Sequence, residues 1–487
     1  MKPYNPYINA IARHRWKLPA VSWAAITLIL LLAGGCKVSK DIALPVQALP
    51  ATYRTASAPA ADSSIALIPV QDFFTASDIR RLIDTALQRN NDLQLALENI
   101  EAAEALYSQA RLGNVPQVNL NVTASTTRPS DNSLNGLSAG QFLKTTHIED
   151  FNANLGLAWE ADIWGKIRSQ KLAARAAYLQ TREARNAITT RVVAGVAEGY
   201  YGLLMTDAQL EIARKNVKLN DSTLRIIRLQ FNSGQVTSLA VQQAEAQQLA
   251  AATLVPRLEQ VRTLQENALS ILTGQVPGPV ERSGTLQAAG VADEFGTGLP
   301  AALLENRPDI RTAALALDEA NARVGISKAS MYPTLTISAS GGVNSFKASN
   351  WFNVPAALFG VVSGGVTQPV FQRRQLKTAY ELSKIEREKT VIRFRQAVLL
   401  AVGEVSDELV RVNKLKTEYE LAEQRALKLQ LAVRNAGLLF KNGMANYLEV
   451  ITAQSALLQS ELDLASIKTA RLTAGVRLYR ALGGGWK

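Results

Sequence analysis

Apolar residues recur every three to four positions over long stretches of the chain, and this spacing predicts long amphipathic helices. The first is expected from about Ser77 to Leu112. Its apolar face is formed by Leu82, Ile83, Ala86, Leu87, Leu93, Leu97 and Ile100. A second helix is expected from about Lys166 to Phe231. At 1.5 Å per residue it would be roughly 100 Å long, which is typical of a duct and not of a compact domain.

The long helix is expected to turn at Asn232-Ser233-Gly234 and to return to about Thr273, which makes a helical hairpin. Glycine supplies the positive φ that such a turn needs. Pro256 lies within the returning helix. We expect a kink there, because proline removes one backbone donor and clashes with the preceding turn.

Between these helices apolar and polar residues alternate, which predicts strands at about Gln117–Thr127 and Phe151–Ile163, joined by a polar loop from Arg128 to Asp150. One face of the second strand carries Phe151, Ala153, Leu155, Leu157 and Trp159, and the other carries Asn152, Asn154, Gly156, Ala158 and Glu160. Such segments are typical of a transmembrane barrel, apolar outside and polar inside. A soluble sheet with one wet face has the same period.

The positions of tryptophan favour the membrane barrel. Trp159, Trp164 and Trp351 lie in or beside the strand regions, as interfacial aromatic belts require. A fourth strand, from Leu358 to Val370, is glycine-rich and apolar on both faces. Four strands cannot close a barrel around a lumen, so several chains are expected to share one barrel.

The sequence is an internal tandem duplication. Asp92 and Asp309 are 217 positions apart, as are Pro116 and Pro333. The segments that end at Gly234 and Gly443 are 209 positions apart, and each has a phenylalanine three residues before the glycine. Each half is therefore expected to contain a helix, two strands and a helical hairpin. We predict the first repeat at 73–290 and the second at 291–487.

The N-terminus is predicted to be a lipoprotein signal peptide, residues 1–35. Basic residues up to Lys17 precede an apolar stretch too short for an ordinary spanning helix, which ends in small residues before Cys36. Cys36 is the single cysteine and is expected to be acylated. The alternative is an incidental small residue within a signal peptide. Residues 36–72 are rich in Pro, Ala, Ser and Thr and are predicted to form an extended tether.

Composition and charge exclude several classes of function. The net charge of +12 includes four basic residues of the predicted signal peptide and falls to +8 without them. The remaining cations alternate with glutamate along helical patterns, which indicates a solvated helix surface and no nucleic-acid partner. His14 falls in the signal peptide and His147 in a loop. No histidine-based metal cluster or catalytic triad is therefore expected, and we predict neither enzyme activity nor a cofactor.

One segment resembles a known family. The run from Gly298-Leu299-Pro300 through Glu305-Asn306-Arg307-Pro308-Asp309-Ile310, followed by Ala320-Asn321-Ala322-Arg323-Val324-Gly325 and Tyr332-Pro333, is similar to the hallmark of the TolC-type outer-membrane efflux family. It most resembles the lipoprotein branch that serves resistance–nodulation–division (RND) pumps. The resemblance covers about Phe73 to Leu482.

The resemblance implies a mixed membrane fold. Three chains, with four strands each, would share one transmembrane β-barrel, and long α-helical hairpins would continue it as a periplasmic barrel. The hairpin tips would dock a periplasmic adaptor (membrane fusion) protein through Asn232, Ser233, Gly234, Gln235, Asn442, Gly443, Met444 and Ala445. An ordinary helix–helix turn is the alternative for these residues.

Family members constrict the periplasmic end with acidic residues after the second tip, which would assign a gate to Glu449. Thr452 stands where many relatives have aspartate, so the acidic ring would be thinner here. A plain solvated helix residue is the alternative for Glu449.

The sequence thus predicts the outer-membrane channel of a tripartite efflux system, a passive exit duct for small molecules such as drugs or toxic compounds. Its expected partners are two further copies in a homotrimer, an adaptor, an inner-membrane RND-type pump and outer-membrane lipid. A duct for type I protein secretion would keep the fold. A pore-less periplasmic coiled-coil scaffold would need the alternating segments to form a soluble sheet.

Overall fold

The computed structural model describes residues 52–53, 64–290, 296–298 and 300–487. The expected signal peptide, Cys36 and most of the expected tether lie outside the described residues. The described chain divides into two compact units. The sheet unit contains residues 106–175 and 318–388, and the helical unit contains the other described residues.

Seven helices of ten residues or more occur in the described part of the chain. They are α1 (Ser77–Arg89), α2 (Asn91–Arg111), α3 (Lys166–Asn232), α4 (Ser238–Leu272), α5 (Pro308–Ala329), α6 (Gln375–Lys441) and α7 (Tyr447–Ala481). Among the residues described, no helix combines the length and apolar character needed to cross a membrane.

The two halves of the chain match helix for helix. The long helices α3 and α6 have 67 residues each. The returning helices α4 and α7 have 35 residues each. Within both pairs the first residues are 209 positions apart. The duplication that the sequence indicates is therefore present in the structure as equal helical hairpins.

Four strands form one antiparallel sheet in the order β1-β2-β3-β4. They are β1 (Gln117–Thr127), β2 (Ile148–Ala161), β3 (Thr334–Ser345) and β4 (Leu358–Thr367). The connection between β1 and β2 is eight residues longer than that between β3 and β4, which accounts for the change of repeat offset from 217 to 209. This connection contains two short helices, Leu134–Ser138 and Ala139–Leu143, where only a polar loop was predicted.

The first predicted helix is wrong in one respect, because it breaks at Asn90. The backbone of Asn90 is extended, with φ −62° and ψ 127°. Its Oδ1 accepts the N–H of Leu93 at 3.1 Å, and its Nδ2 donates to the carbonyl of Leu272 at 2.8 Å. Asn90 therefore ends α1 and caps α2. The apolar period runs on across this break, so the pattern did not reveal it.

Several other ends differ from the prediction. Strand β2 begins at Ile148, three residues before the predicted start. It ends at Ala161, because the next residue, Asp162, caps α3: its carboxylate accepts the N–H groups of Ile167 and Arg168. Strand β4 ends at Thr367, three residues before the predicted end. Helix α4 continues through Pro256.

The helical unit contains two large apolar clusters. The first includes Phe74, Ile79, Ile83, Val193, Val196, Tyr200 and Leu203. The second includes Tyr53, Ile65, Leu303, Ile310, Phe394, Val405, Leu478 and Tyr479. The second cluster buries Tyr53 and Ile65 from the segment predicted to be an extended tether.

Part of that segment is helical, at Ile65–Leu67 and Val70–Phe73. The ring of Phe73 stacks on Tyr479 at 4.1 Å, and the Tyr479 hydroxyl donates to the carbonyl of Ile68 at 2.7 Å. The residues just before α1 are therefore packed against the second repeat of the same unit.

Candidate functional site

The two hairpin tips have the same backbone turn. Gly234 has φ +72° and Gly443 has φ +71°. At the first tip the N–H of Gln235 donates to the carbonyl of Gln230 at 2.8 Å, and at the second the N–H of Met444 donates to that of Leu439 at 2.9 Å. These are the bonds of a Schellman motif, in which a left-handed glycine ends the helix. A Cβ at either glycine would meet nothing within 4 Å, so the backbone conformation alone requires glycine.

The predicted docking residues lie together at these turns. Asn232 is the last residue of α3, and Ser233, Gly234 and Gln235 follow it. Asn442, Gly443, Met444 and Ala445 follow the end of α6. All except the half-buried Ala445 are exposed. The structure therefore places the two predicted sets at equivalent turns of the helical unit.

The two phenylalanines of the repeated motif do different things. Phe440 is 5% exposed and packs in a cluster with Ile227, Ala244 and Val450, which joins the two hairpins near their tips. Phe231 is 43% exposed. The matching positions thus give one residue that holds the hairpins together and one that remains on the surface.

Two of the hydrogen bonds that join the hairpins lie towards the tips. The Tyr447 hydroxyl donates to Oε1 of Gln243 at 2.7 Å. Nε2 of Gln454 donates to Oγ1 of Thr223 at 2.9 Å, and this bond is buried. Both couple the second returning helix to the first hairpin. The sequence analysis missed them, because pairing between hairpins has no signature in the spacing of residues.

Glu449 takes part in a capping box at the start of α7. Its N–H donates to Oδ1 of Asn446 at 3.1 Å, and its carboxylate accepts the N–H of Asn446 at 3.5 Å. This arrangement satisfies two backbone donors that a helix start leaves free. Glu449 is exposed. The structure thus gives its carboxylate a local role, and the gate stays a prediction.

The tips also expose apolar side chains. The exposed residues near the first turn are Leu229, Phe231 and Leu239, and those near the second are Leu438, Leu439, Met444 and Leu448. An exposed apolar patch with polar surroundings is typical of a protein-binding surface.

The sheet unit separates apolar from polar side chains. Leu120 pairs with Leu155 on one face, and Asn121 pairs with Asn154 on the other. Nδ2 of Asn121 donates to Oδ1 of Asn154 at 3.3 Å, and the hydroxyls of Ser338 and Ser363 bond at 2.7 Å on the same polar face. The predicted alternation is confirmed in β1, β2 and β3. Strand β4 has apolar residues on both faces, as predicted, with Phe359 and Val361 on the polar side.

The sheet has two open edges. Strand β1 is exposed at every residue, and β4 at all but one. An unpaired edge carries free N–H and C=O groups, which are costly in lipid. A single chain therefore leaves the sheet incomplete as a membrane structure.

The tryptophans lie at opposite ends of the strands. The Trp164 indole donates to the carbonyl of Pro333 at 2.7 Å and stacks on Tyr332 at 4.8 Å. Trp351 contacts Phe151 at the other end, with ring centroids 5.5 Å apart. These rings mark two levels along the sheet.

A partly exposed ionic cluster lies within the helical unit. Arg307 donates to Asp309 and Glu404 at 2.7 and 2.8 Å and also to the carbonyl of Ala481 at 2.8 Å. Arg480 shares Glu404 at 2.7 Å. Burial acts to raise the pKa of Asp309, but the hydrogen bonds and charge of Arg307 hold it below its ordinary value. The sequence analysis assigned acidic residues to surface spacing and missed this cluster, although Arg307-Pro308-Asp309 lies in the family-like segment.

No group of His, Cys, Asp and Glu among the described residues has the geometry to hold a metal ion. The features that remain as candidate functional sites are the exposed hairpin tips and the polar face of the sheet.

Comparisons with known proteins all point to outer membrane efflux proteins. The family model described as outer membrane efflux protein matches residues 82–275 and 299–484. The toluene efflux pump outer membrane protein TtgF of Pseudomonas putida is 30% identical over 424 residues, which cover 85% of each chain. The probable outer membrane lipoprotein SilC of Salmonella typhimurium is 25% identical over 464 residues, covering 95% of this chain and 98% of that protein.

The fold agrees with a solved outer membrane channel. The open-state MtrE channel of Neisseria gonorrhoeae superposes with a TM-score of 0.81 at 24% identity and covers 93% of this chain and 99% of that one. The likeness extends over both repeats.

Proposed function

Because the chain belongs to the outer membrane efflux protein family, whose model matches both of its repeats, we propose that it is the passive outer-membrane duct of a tripartite efflux system. Substrate would be driven by an inner-membrane RND-type pump, pass a periplasmic adaptor and leave through this protein's lumen. No chemical step at the duct is needed for that role.

One observation supports the duct most strongly, namely the open-edged sheet with one apolar and one polar face. In lipid each unpaired backbone group costs several kcal/mol. Three copies would join β4 of one chain to β1 of the next and close a twelve-stranded barrel around the polar faces. The assembly is thus an obligate homotrimer in this proposal.

The tips are the surface proposed to meet the adaptor. The residues concerned are Asn232, Ser233, Gly234, Gln235, Asn442, Gly443, Met444 and Ala445. The left-handed glycine leaves the turn without a Cβ, so a partner hairpin can approach the backbone closely. Exposed Phe231 and Met444 would add apolar contact area.

Cys36 is the proposed site of the lipid anchor. It follows small residues at the end of an apolar segment, and SilC is named a probable outer membrane lipoprotein. A Cys36→Ala chain should lose acyl labelling and still assemble, because the shared barrel also holds it in the membrane. A mature N-terminus at another residue would contradict this assignment.

The proposed cargo consists of small toxic molecules, by analogy with the toluene efflux named for TtgF. Protein secretion remains the second candidate for the same fold. The pore-less scaffold is disfavoured, because a solved structure with this fold, that of MtrE, is a channel and the sheet exposes an apolar face.

The test is dye accumulation in cells that lack their own outer-membrane efflux channel. Restored export should require this chain together with an adaptor and an RND pump. The chain should fractionate with the outer membrane. If it stays soluble without detergent, or if export of the dye is unchanged by it, the proposal is wrong.

A further inference from the structure

The two repeats differ at the short connector between the last strand and the long helix. In the first repeat the connector ends at Gly165, with φ +75°, and in the second at Arg374, with φ +66°. The two residues are 209 positions apart and precede the first residues of α3 and α6. Each accepts the first backbone bond of its helix, from Ser169 and Thr378. The backbone of the residue just before each long helix is therefore left-handed in both repeats, and the side chains at matching positions can be compared.

In the first repeat the connector is occupied by contacts within the chain. Asp162 caps α3 through the N–H groups of Ile167 and Arg168 at 2.9 and 2.8 Å. Trp164 stacks on Tyr332 and donates to a backbone carbonyl. This connector is thus consolidated by its own protein neighbours.

In the second repeat these side chains are replaced by ones that point away from the protein. Phe371 stands at the position of Asp162, Arg373 at that of Trp164 and Arg374 at that of Gly165. Val370 is 92% exposed and Phe371 is 85% exposed. Arg373 and Arg374 are also exposed. We call the segment Val370–Arg374 the arginine connector.

Its backbone is unusual for its sequence. Arg373 and Arg374 have φ of 47° and 66°, the left-handed region that non-glycine residues rarely adopt. The first repeat shows that glycine fits this place. Two consecutive arginines in a strained conformation indicate a use for their side chains.

Protein carboxylates neutralise little of the positive charge on the arginine connector. The nearest ion pair is Arg374 with Glu381, at 3.9 Å between exposed groups. Strand β4 ends at the same end of the sheet at which β1 begins. In the proposed trimer the next copy would bring residues 111–116 here, and that segment contains no carboxylate. That segment of a neighbouring copy therefore offers no counter-ion.

We propose that the arginine connector binds an anionic phospholipid of the membrane leaflet at the end of the barrel where β4 ends and α6 begins. This inference rests on the proposed function, because the sheet must lie in a bilayer. The guanidinium groups of Arg373 and Arg374 bind the phosphate, since their planar donors match its oxygens. Val370 and Phe371 enter the interfacial region beside it, where aromatic side chains are favoured.

The experiment measures retention of phosphatidylglycerol by the purified full-length assembly, with native mass spectrometry after extraction from bilayers of phosphatidylglycerol and phosphatidylcholine. The test variant is Arg373→Asn/Arg374→Asn, because asparagine tolerates the left-handed region. The matched control is Lys414→Gln/Lys416→Gln, which removes two exposed cations from α6, the helix that follows the arginine connector. A milder variant, Arg374→Gly, installs the residue of the first repeat.

The wild-type assembly and the Lys414/Lys416 control should retain phosphatidylglycerol in preference to phosphatidylcholine. The double arginine variant should bind phosphatidylglycerol at least about tenfold more weakly. The reason is that each of the two arginines contributes a similar share of the attraction to an anionic surface. The Arg374→Gly variant should retain an amount of phosphatidylglycerol between those of the wild type and the double arginine variant, and its assembly should be unchanged. Inorganic phosphate should not displace the lipid.

Equal retention by wild type and the double arginine variant would overturn the inference, as would equal loss in the lysine control. Displacement by inorganic phosphate would indicate a soluble anion site instead. Efficient disulfide formation between copies of a Val115→Cys/Phe371→Cys chain would show that a second copy covers the connector. If the wild-type chain does not insert into bilayers at all, the proposed function fails and this inference fails with it.

Discussion

The hydroxyl of Tyr447 donates a 2.7 Å hydrogen bond to Oε1 of Gln243 and so ties the second tip to the first hairpin. Removal of such a bond costs about 1 kcal/mol. Tyr447→Phe should therefore loosen the hairpins near their tips without affecting assembly. Hydrogen exchange at the backbone amides of Ser238–Leu249 should become several-fold faster.

Tyr419→Phe is the control for this prediction. The Tyr419 hydroxyl donates to Glu423 within the same helix, so its loss leaves the contact between hairpins intact. Equal exchange rates in Tyr447→Phe and the wild type would show that this bond does not hold the tips together.

The tip glycines should be needed for efflux but not for membrane insertion. In Gly234→Val/Gly443→Val the strain is conformational, since a Cβ meets nothing within 4 Å at either place. Each substitution should cost roughly 1–2 kcal/mol locally and distort the docking surface. Dye export should fall to the level of cells without the duct, while the trimer persists in the outer membrane.

Gly437→Val is the matched control, because a Cβ at Gly437 also meets nothing within 4 Å and its φ is not positive. It should export dye normally. Wild-type export by the double tip variant would rule out docking through these turns.

Glu449 can be tested as a gate separately from its role in the capping box. Glutamine serves in a capping box as glutamate does, so Glu449→Gln keeps the helix start and removes the charge. Three carboxylates around one axis would favour cations and bind divalent ions. Planar-bilayer recordings of Glu449→Gln should then show lower cation selectivity and weaker block by divalent ions.

Asn446→Ala separates the two roles further. It removes the side-chain acceptor for the N–H of Glu449 and should destabilise the start of α7 by about 1 kcal/mol, with the charge retained. If conductance, selectivity and block are the same in Glu449→Gln and the wild type, Glu449 is only a helix cap.

Glu408 should make stability depend on pH. Burial raises the pKa of its carboxyl, although Arg411, Arg477 and Arg480 act in the opposite direction and Glu404 adds to the rise. Its Oε2 makes no hydrogen bond within the described residues. Because the folded state holds this proton more tightly than the unfolded chain, stability should fall as pH rises from the ordinary glutamate pKa through the raised one.

Glu408→Gln should remove this dependence and raise the melting temperature at pH 7, by an amount that corresponds to roughly 1 kcal/mol. The advantage should shrink below about pH 4, where the wild-type carboxyl is protonated. Glu420→Gln on the exposed part of the same helix should change little. A lower melting temperature for Glu408→Gln at pH 7 would mean that the charged form is the stabilised one.

Regular features of this fold were predictable from the sequence. A long amphipathic period gave helix α3 nearly to its ends, and the repeat implied its counterpart α6. Gly234 and Gly443 marked turns that only a left-handed residue completes. Alternation gave strand β1 with the observed ends. These features depend on local conformational preferences and on the internal repeat, and both can be recognised from the spacing of residues.

Features that depend on distant partners were not predictable. The break at Asn90 is consolidated by the carbonyl of Leu272, far along the chain. The ion pair of Arg307 with Glu404 follows from how the helices pack. The different exposure of Phe231 and Phe440 arises in the same way, because equivalent residues of a duplicated chain meet different neighbours.

The central claim is that several copies of this chain close one barrel. The most direct test is the native mass of the assembly after extraction from the outer membrane in mild detergent. We predict three chains per particle, with loss of β-structure when the particle is dissociated, because strands β1 and β4 then lose their partners. A folded monomer with the thermal stability of the extracted particle would contradict the account.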